Sequence, residues 1–154
     1  MLKWLRRSPR RDPDEPWLIA STDEEGHRVL YRMRQTLPEG IDTARYPHLI
    51  NIYWRFDGAT NDGMPAIAVY DRMAELERAL EPLEGPETGF LVLSITGNNR
   101  KEWAWYVTEP SAYMERANAA LAGVEPFPVE FEAALDAAWS SFRDLLATVG
   151  KRES

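Results

Sequence analysis

Between Leu49 and Phe56 the chain alternates Ile50, Ile52, Trp54 and Phe56 with Leu49, Asn51, Tyr53 and Arg55. A strand placed here carries bulk on both sides of its pleat, because successive side chains point to opposite faces of a sheet. Such a strand needs cover above and below, so the segment predicts a central strand. With 154 residues the chain can bury about 70% of the surface that its unfolded form exposes, enough for one core. One domain organised around this strand is the expectation.

The neighbouring segments supply the rest of a sheet and its helices. Trp17 to Ser21 and His27 to Gln35 read as a hairpin turning at Asp23, Glu24, Glu25 and Gly26, with Val29, Tyr31 and Met33 on one side and Arg28, Arg32 and Arg34 nearby. The polar loop Asp57 to Gly63 leads to Pro65, a favoured first-turn residue. Val69, Met73, Leu76 and Leu80 then recur at helical spacing. They predict a helix to about Glu81, stopped by Pro82, Gly85 and Pro86. Phe90 to Thr96 and Glu102 to Thr108 predict a second hairpin across Gly97, Asn98 and Asn99. Thr108 is the expected cap of a second helix, with Pro110 in its first turn, Tyr113, Ala117 and Leu121 facing inward and Gly123 beyond its end. Phe127 to Ala133 predicts an edge strand, since Pro128 cannot donate to a ladder. Trp139, Phe142, Leu146 and Val149 predict a last helix over Asp136 to Val149.

The order is βββαββαβα, and without its first hairpin and last helix it is βαββαβ. The fold expected is therefore α+β: an antiparallel sheet with a ferredoxin-like core whose helices cover one face, preceded by a β-hairpin and followed by a C-terminal helix. The position of the hairpin in the sheet stays open. Residues 1–15 read as a basic flexible N-terminal arm and residues 16–150 as the single domain.

Charge separates the same two parts. Residues 1 to 11 hold Lys3, Arg6, Arg7, Arg10 and Arg11 and no acid, which leaves 13 of the 18 basic side chains to face all 25 acidic ones in the body. An acidic body repels phosphate backbones and disfavours nucleic acid as a partner. The arm mixes Leu2, Trp4 and Leu5 with its cations, which suits either an interfacial anchor or a loose solubilising tail. No cysteine is present, so disulfides, iron–sulfur clusters, thiolate zinc sites and cysteine nucleophiles are excluded. No stretch approaches the roughly 20 apolar residues of a transmembrane helix, and no apolar secretory core opens the chain. A cytoplasmic location is expected.

Three short stretches carry a resemblance. Arg45-Tyr46-Pro47 leads into the strand with Trp54; Gly63-Met64-Pro65 opens the acidic helix holding Glu75-Leu76-Glu77; Thr96-Gly97-Asn98 precedes Arg100-Lys101-Glu102-Trp103. In this order and spacing, over most of the chain, they resemble a bacterial family of unknown function, number 695. The resemblance implies no established activity and no catalytic residues. Some members of that family are joined to a domain similar to a ribonuclease E inhibitor, which implies regulation rather than chemistry.

The residues themselves offer little catalytic machinery. His27 and His48 are the only histidines, and neither stands at a two-histidine helical spacing. Asp57, Asn61 and Asp62 are hard-cation ligand types, but they lack the order of a calcium loop and are also ordinary turn formers. There is no Gly-x-Ser-x-Gly elbow and no phosphate loop. The most distinctive segment is Thr96 to Trp105, in which an Asn98-Asn99 turn presents Arg100 and Lys101 ahead of Trp103 and Trp105. Together with Tyr53 and Trp54 these residues form the candidate partner-binding site, unless the rings belong to the core and the turn is simply solvated. The reading that follows is a noncatalytic binding or regulatory module that docks a protein partner through an aromatic and arginine surface on the sheet or hairpin. An RNA-contacting regulator of ribonuclease-type machinery, and a small metal-assisted hydrolase with dispersed Asp, Glu and His ligands, are the alternatives. The sequence does not indicate an oligomeric state. No metal or organic cofactor is expected, so exhaustive chelation is predicted to leave the thermal unfolding transition unmoved, and a large downward shift in calorimetry would contradict this.

Overall fold

The computed structural model describes residues 3–4 and 16–153, with the backbone alone at 3, 4 and 150–153. The strands are β1 (Lys3–Trp4), β2 (Trp17–Glu24), β3 (His27–Arg34), β4 (His48–Arg55), β5 (Gly89–Gly97), β6 (Arg100–Val107) and β7 (Val129–Leu135). The helices are α1 (Ile67–Leu80), α2 (Pro110–Leu121) and α3 (Ser140–Glu153). Six full strands and the two-residue β1 form one sheet in the order β1-β2-β3-β5-β6-β4-β7, antiparallel at every junction. The fold is α+β. Apart from Lys3–Trp4, whose backbone pairs with Thr22 and Asp23, the expected flexible arm lies outside the described residues.

The doubly bulky strand β4 is interior, paired with β6 on one side and β7 on the other. Pro128 precedes β7, and β7 is an edge strand as that proline requires. The first hairpin extends the sheet through β3, whose Arg32 lies opposite Ser94 of β5.

Each face of the sheet has its own core. Ile50, Ile52, Trp54, Trp103 and Trp105 pack under Met73, Leu76 and Leu80 of α1 and Tyr113 and Ala117 of α2. On the opposite face Val29, Tyr31, Met33 and Tyr106 meet Trp139, Phe142 and Val149. The two helices of the βαββαβ segment, α1 and α2, share one face as expected. α3 crosses to the other face, where a stripe of large side chains would otherwise stay wet.

Three helix starts differ from the sequence reading for local reasons; α1 begins at Ile67 behind an Ala66 cap, so Pro65 precedes it rather than lying in its first turn. Thr108 does not cap α2, because its amide continues the ladder to Thr88 and its hydroxyl donates to the Glu87 carbonyl. The cap is Glu109, whose carboxylate accepts the Ala112 amide at 2.9 Å. α3 begins at Ser140 rather than Asp136, and Asp136 serves it from outside by accepting the Ser140 and Ser141 amides at 2.9 and 3.1 Å. The Tyr106 hydroxyl donates to the same carboxylate at 2.6 Å, and the Tyr106 ring stacks on Trp139 with centroids 4.1 Å apart. One aspartate therefore joins the start of α3 to the centre of the sheet.

Burial pushes the Asp136 carboxyl up, but hydrogen bonds from Tyr106 and from the Ser141 and Ser140 amides outweigh it and hold the group below its ordinary value. A depressed folded pKa adds stability that is complete above the unfolded value of about 3.9 and is lost as pH falls through the folded one. Asp136→Asn is accordingly predicted to be less stable than the parent at pH 7, with the difference closing as pH drops below about 4. Urea midpoints measured from pH 3 to 7 would show it, and a gap independent of pH would exclude the linkage.

Candidate functional site

The two helices α1 and α2 leave part of their own sheet face bare. Beyond α1 that face continues onto β5, β3 and β2, where Ser94, Thr96, Arg32, Arg34, Trp17 and Ile19 line two adjoining cavities. One is about 240 Å³ and lies beside Glu77, Glu84 and Trp103; the other is about 190 Å³ and lies beneath Tyr70 and Lys101. Arg32 lines both. They form one cleft between α1 and the β2–β3 hairpin.

The cations of this cleft are held in three different ways. Arg34 is fixed on all sides: its Nη2 meets Glu84 Oε2 at 2.9 Å and its Nε donates to the Leu91 carbonyl at 2.7 Å. Glu84 in turn accepts the Leu91 amide at 3.0 Å. Lys101, expected on the surface of the hairpin, is buried instead. Its Nζ lies 3.4 Å from Glu77 Oε1 and over the rings of Trp103 and Tyr70 at 5.3 and 5.5 Å. Glu77 also accepts the Trp103 indole N–H at 2.6 Å, which sets its carboxylate facing the ammonium. Arg32 shares the Trp17 ring with Arg34, which lies 4.8 Å from its centroid. The Arg32 guanidinium sits 4.0 Å from the Trp17 ring centroid, and among the described residues no carboxylate pairs with it.

The remaining candidates of the Thr96 to Trp105 segment are dispersed. Trp54, Trp103 and Trp105 are 4%, 2% and 2% exposed. They are core side chains under α1 and α2, not rings on an open face, because β4 and β6 run beneath both helices. Tyr53, one residue along β4, points to the opposite face, where it is half-buried beside α3. Burial raises its hydroxyl pKa, helped by Glu102 and Glu132. Arg100 is turned back onto its own hairpin, donating to the Gly97 carbonyl at 3.0 Å and to Glu102 at 3.3 Å.

Asn98 and Asn99 make the turn, with φ of 55° and 68°, and Asn99 ties it to the loop of residues 57–64. Its amide donates to the Gly63 carbonyl, its carbonyl accepts the Phe56 amide, and its side-chain oxygen accepts the Gly58 amide at 2.9 Å. Gly58 has no room for a side chain, since a Cβ there would lie 2.7 Å from the Gly63 carbonyl carbon. Asp57 and Asn61 serve the same loop, Asp57 accepting the Ala59 amide and Asn61 donating to the Pro65 carbonyl. His27 Nδ1 lies 3.2 Å from Asp62 Oδ1. Among the described residues no three His, Cys, Asp or Glu side chains gather as metal ligands, and no helix is long and apolar enough to cross a membrane.

Trp17, Arg32, Arg34, Tyr70, Glu77, Glu84 and Ser94 were not foreseen as site residues. Arg32 and Arg34 were visible as the polar side of β3, yet nothing local shows that β3 pairs with β5 beside α1.

These features define an α+β domain with a charged, aromatic-walled cleft on a partly covered sheet face. The model of a family of unknown function, DUF695, matches residues 15–147, and the chain belongs to that family. No curated protein matches it.

The role of Asn99 is testable by stability. Asn99→Ala strands the buried Gly58 amide and forces alanine into a left-handed conformation, a predicted loss of about 1–3 kcal/mol. Asn99→Gly keeps the conformation and is predicted to lose less. Equal urea midpoints for the parent and Asn99→Ala would show that the tip is not a structural tie.

Proposed function

We propose that this protein is a noncatalytic binding or regulatory module that docks a protein partner in the cleft between α1 and the β2–β3 hairpin, through an aromatic and arginine surface on the sheet. The observation that carries the reading is Arg32: a guanidinium held over the Trp17 ring, facing a cleft and, among the described residues, without a carboxylate while Arg34 and Lys101 both have one. A pre-oriented arginine beside aromatic side chains matches the residues that dominate protein interfaces. Ile19 and Tyr70, 66% and 55% exposed, flank the cleft and supply apolar area around its charged floor. Burial of Trp54, Trp103 and Trp105 removes the stacking platform that an RNA partner would use, which weighs toward protein.

The ferredoxin-like description of the βαββαβ segment belongs to the same proposal. It is supported by the neighbour order β5-β6-β4-β7 and by the shared face of α1 and α2.

Arg32→Gln keeps much of the stem over Trp17 and removes the charge. In affinity capture from the native cell extract it is predicted to lose a partner that the parent retains, and that partner's measured Kd is predicted to weaken by about tenfold or more. Arg55→Gln, on the opposite face and 70% exposed, is predicted to retain the partner. Both variants are expected to stay within about 0.5 kcal/mol of the parent in stability. Retention of every partner by Arg32→Gln would overturn the docking site.

A further inference from the structure

We infer that the inner end of the cleft takes a carboxylate, supplied by an acidic side chain of the docked partner. The inference rests on the docking reading above and adds the chemistry of what enters.

Its basis is a pair of hydroxyls. Ser94 and Thr96 stand two residues apart on the same face of β5 and are 5% and 6% exposed. Among the described residues neither hydroxyl has a hydrogen bond, and both line the 190 Å³ cavity. Among the described residues the unpartnered side-chain atoms sealed from solvent are Thr22 Oγ1 and Tyr113 Oη, so the Ser94 and Thr96 hydroxyls open on the cavity and can donate to what enters it. Two together, opening on one cavity, mark a place where donors wait for an acceptor.

Strand register sets a cation on each side of them. Arg32 on β3 is directly opposite Ser94, and Lys101 on β6 is directly opposite Thr96. An acceptor above β5 therefore meets two O–H donors flanked by a guanidinium and an ammonium, the donor set of an oxyanion site.

The charge balance selects among oxyanions. Lys101 is already paired with Glu77, while Glu81 and Glu84 line the adjoining cavity. Among the described residues Arg32 is the cleft cation with no carboxylate in ion-pair contact, and with three carboxylates already lining the two cavities a singly charged acceptor is favoured over the nearly two charges of a phosphate monoester at neutral pH. A planar carboxylate also fits the guanidinium fork in bidentate fashion. The chain's net charge of −7 further disfavours a polyanion. Ile19, Met64 and Tyr70 line the same cavity, Ile19 and Tyr70 being exposed, so the carboxylate is expected to arrive on a segment with apolar residues beside it.

The test is a ¹H–¹⁵N titration of the full chain with three probes: the peptide acetyl-Ile-Glu-Leu-amide, its Gln counterpart acetyl-Ile-Gln-Leu-amide, and inorganic phosphate. The Glu peptide is expected to shift the Arg32, Ser94 and Thr96 amides saturably, with the Gln peptide weaker by about tenfold or more and phosphate weaker than the Glu peptide. Arg32→Gln, and separately Ser94→Ala with Thr96→Val, are expected to abolish the preference for Glu over Gln. The inference is overturned by equal binding of the two peptides, by phosphate binding more tightly than the Glu peptide, or by the absence of a saturable shift. Partner capture that still depends on Arg32 would then leave docking standing and remove only the carboxylate. Glu-selective binding with capture independent of Arg32 would do the reverse.

Discussion

β5 and β6 are buried over nearly their whole length on both faces, and everything else in the fold follows from supplying that cover. The six full strands span about 24 Å across the sheet at about 4.8 Å per strand. Two helices side by side, each about 10 Å across, shield about 20 Å. α1 and α2 are centred over β4, β6 and β7 by the row of tryptophans and isoleucines beneath them. The shortfall falls at the other end of the sheet, over β3 and β2. The cleft is the part of that face the helices do not reach, and the β3 and β5 residues lining it include the polar Arg32, Arg34, Ser94 and Thr96 beside Leu30 and Leu91.

The opposite face is closed with less helix and more loop. α3 covers it together with Leu37, Ile41 and the buried Tyr46 of the segment between β3 and β4. Tyr46 donates through its hydroxyl to the Pro86 carbonyl and accepts the Trp139 indole N–H at its own carbonyl. The aromatic side chains here act as pegs whose polar ends find a fixed partner, so burial of a large ring also fixes its orientation. Trp103 follows the same rule on the cleft side, where its N–H fixes Glu77 and Glu77 fixes Lys101. Core packing and cleft electrostatics are thus coupled through one carboxylate. Tyr113 breaks the rule. Its buried hydroxyl has no partner among the described residues, and burial, with Glu84 nearby, raises its pKa.

Much of the architecture was legible in the residues because it is local. Period-two alternation located β4 and the second hairpin, the spacing of Met73, Leu76 and Leu80 located α1, and Pro128 announced an edge. Their physical content is the direction of each side chain relative to its own backbone, which needs no knowledge of distant segments. The resemblance carried by Arg45-Tyr46-Pro47, Gly63-Met64-Pro65 and Thr96-Gly97-Asn98 likewise falls on structural positions, with Tyr46 in the core and Gly63 packed against the Asn98–Asn99 turn.

Which side of a strand is wet, however, depends on what lies over it, and the covering element is remote in the chain. Trp54, Trp103 and Trp105 have the same local pattern whether they form a docking surface or a core, and the placement of α1 and α2 made them core. Lys101 reads as a solvated hairpin cation until α1 lays Glu77 and Tyr70 over it. Arg32 and Ser94 are 62 positions apart in numbering, and only the pairing of β3 with β5 makes them neighbours. The sequence by itself determined the elements and the absence of thiol chemistry, since both depend on residue identity and local spacing. The tertiary structure alone decided the cleft, because a concavity between a helix and a sheet extension is a property of how far the covering helices reach.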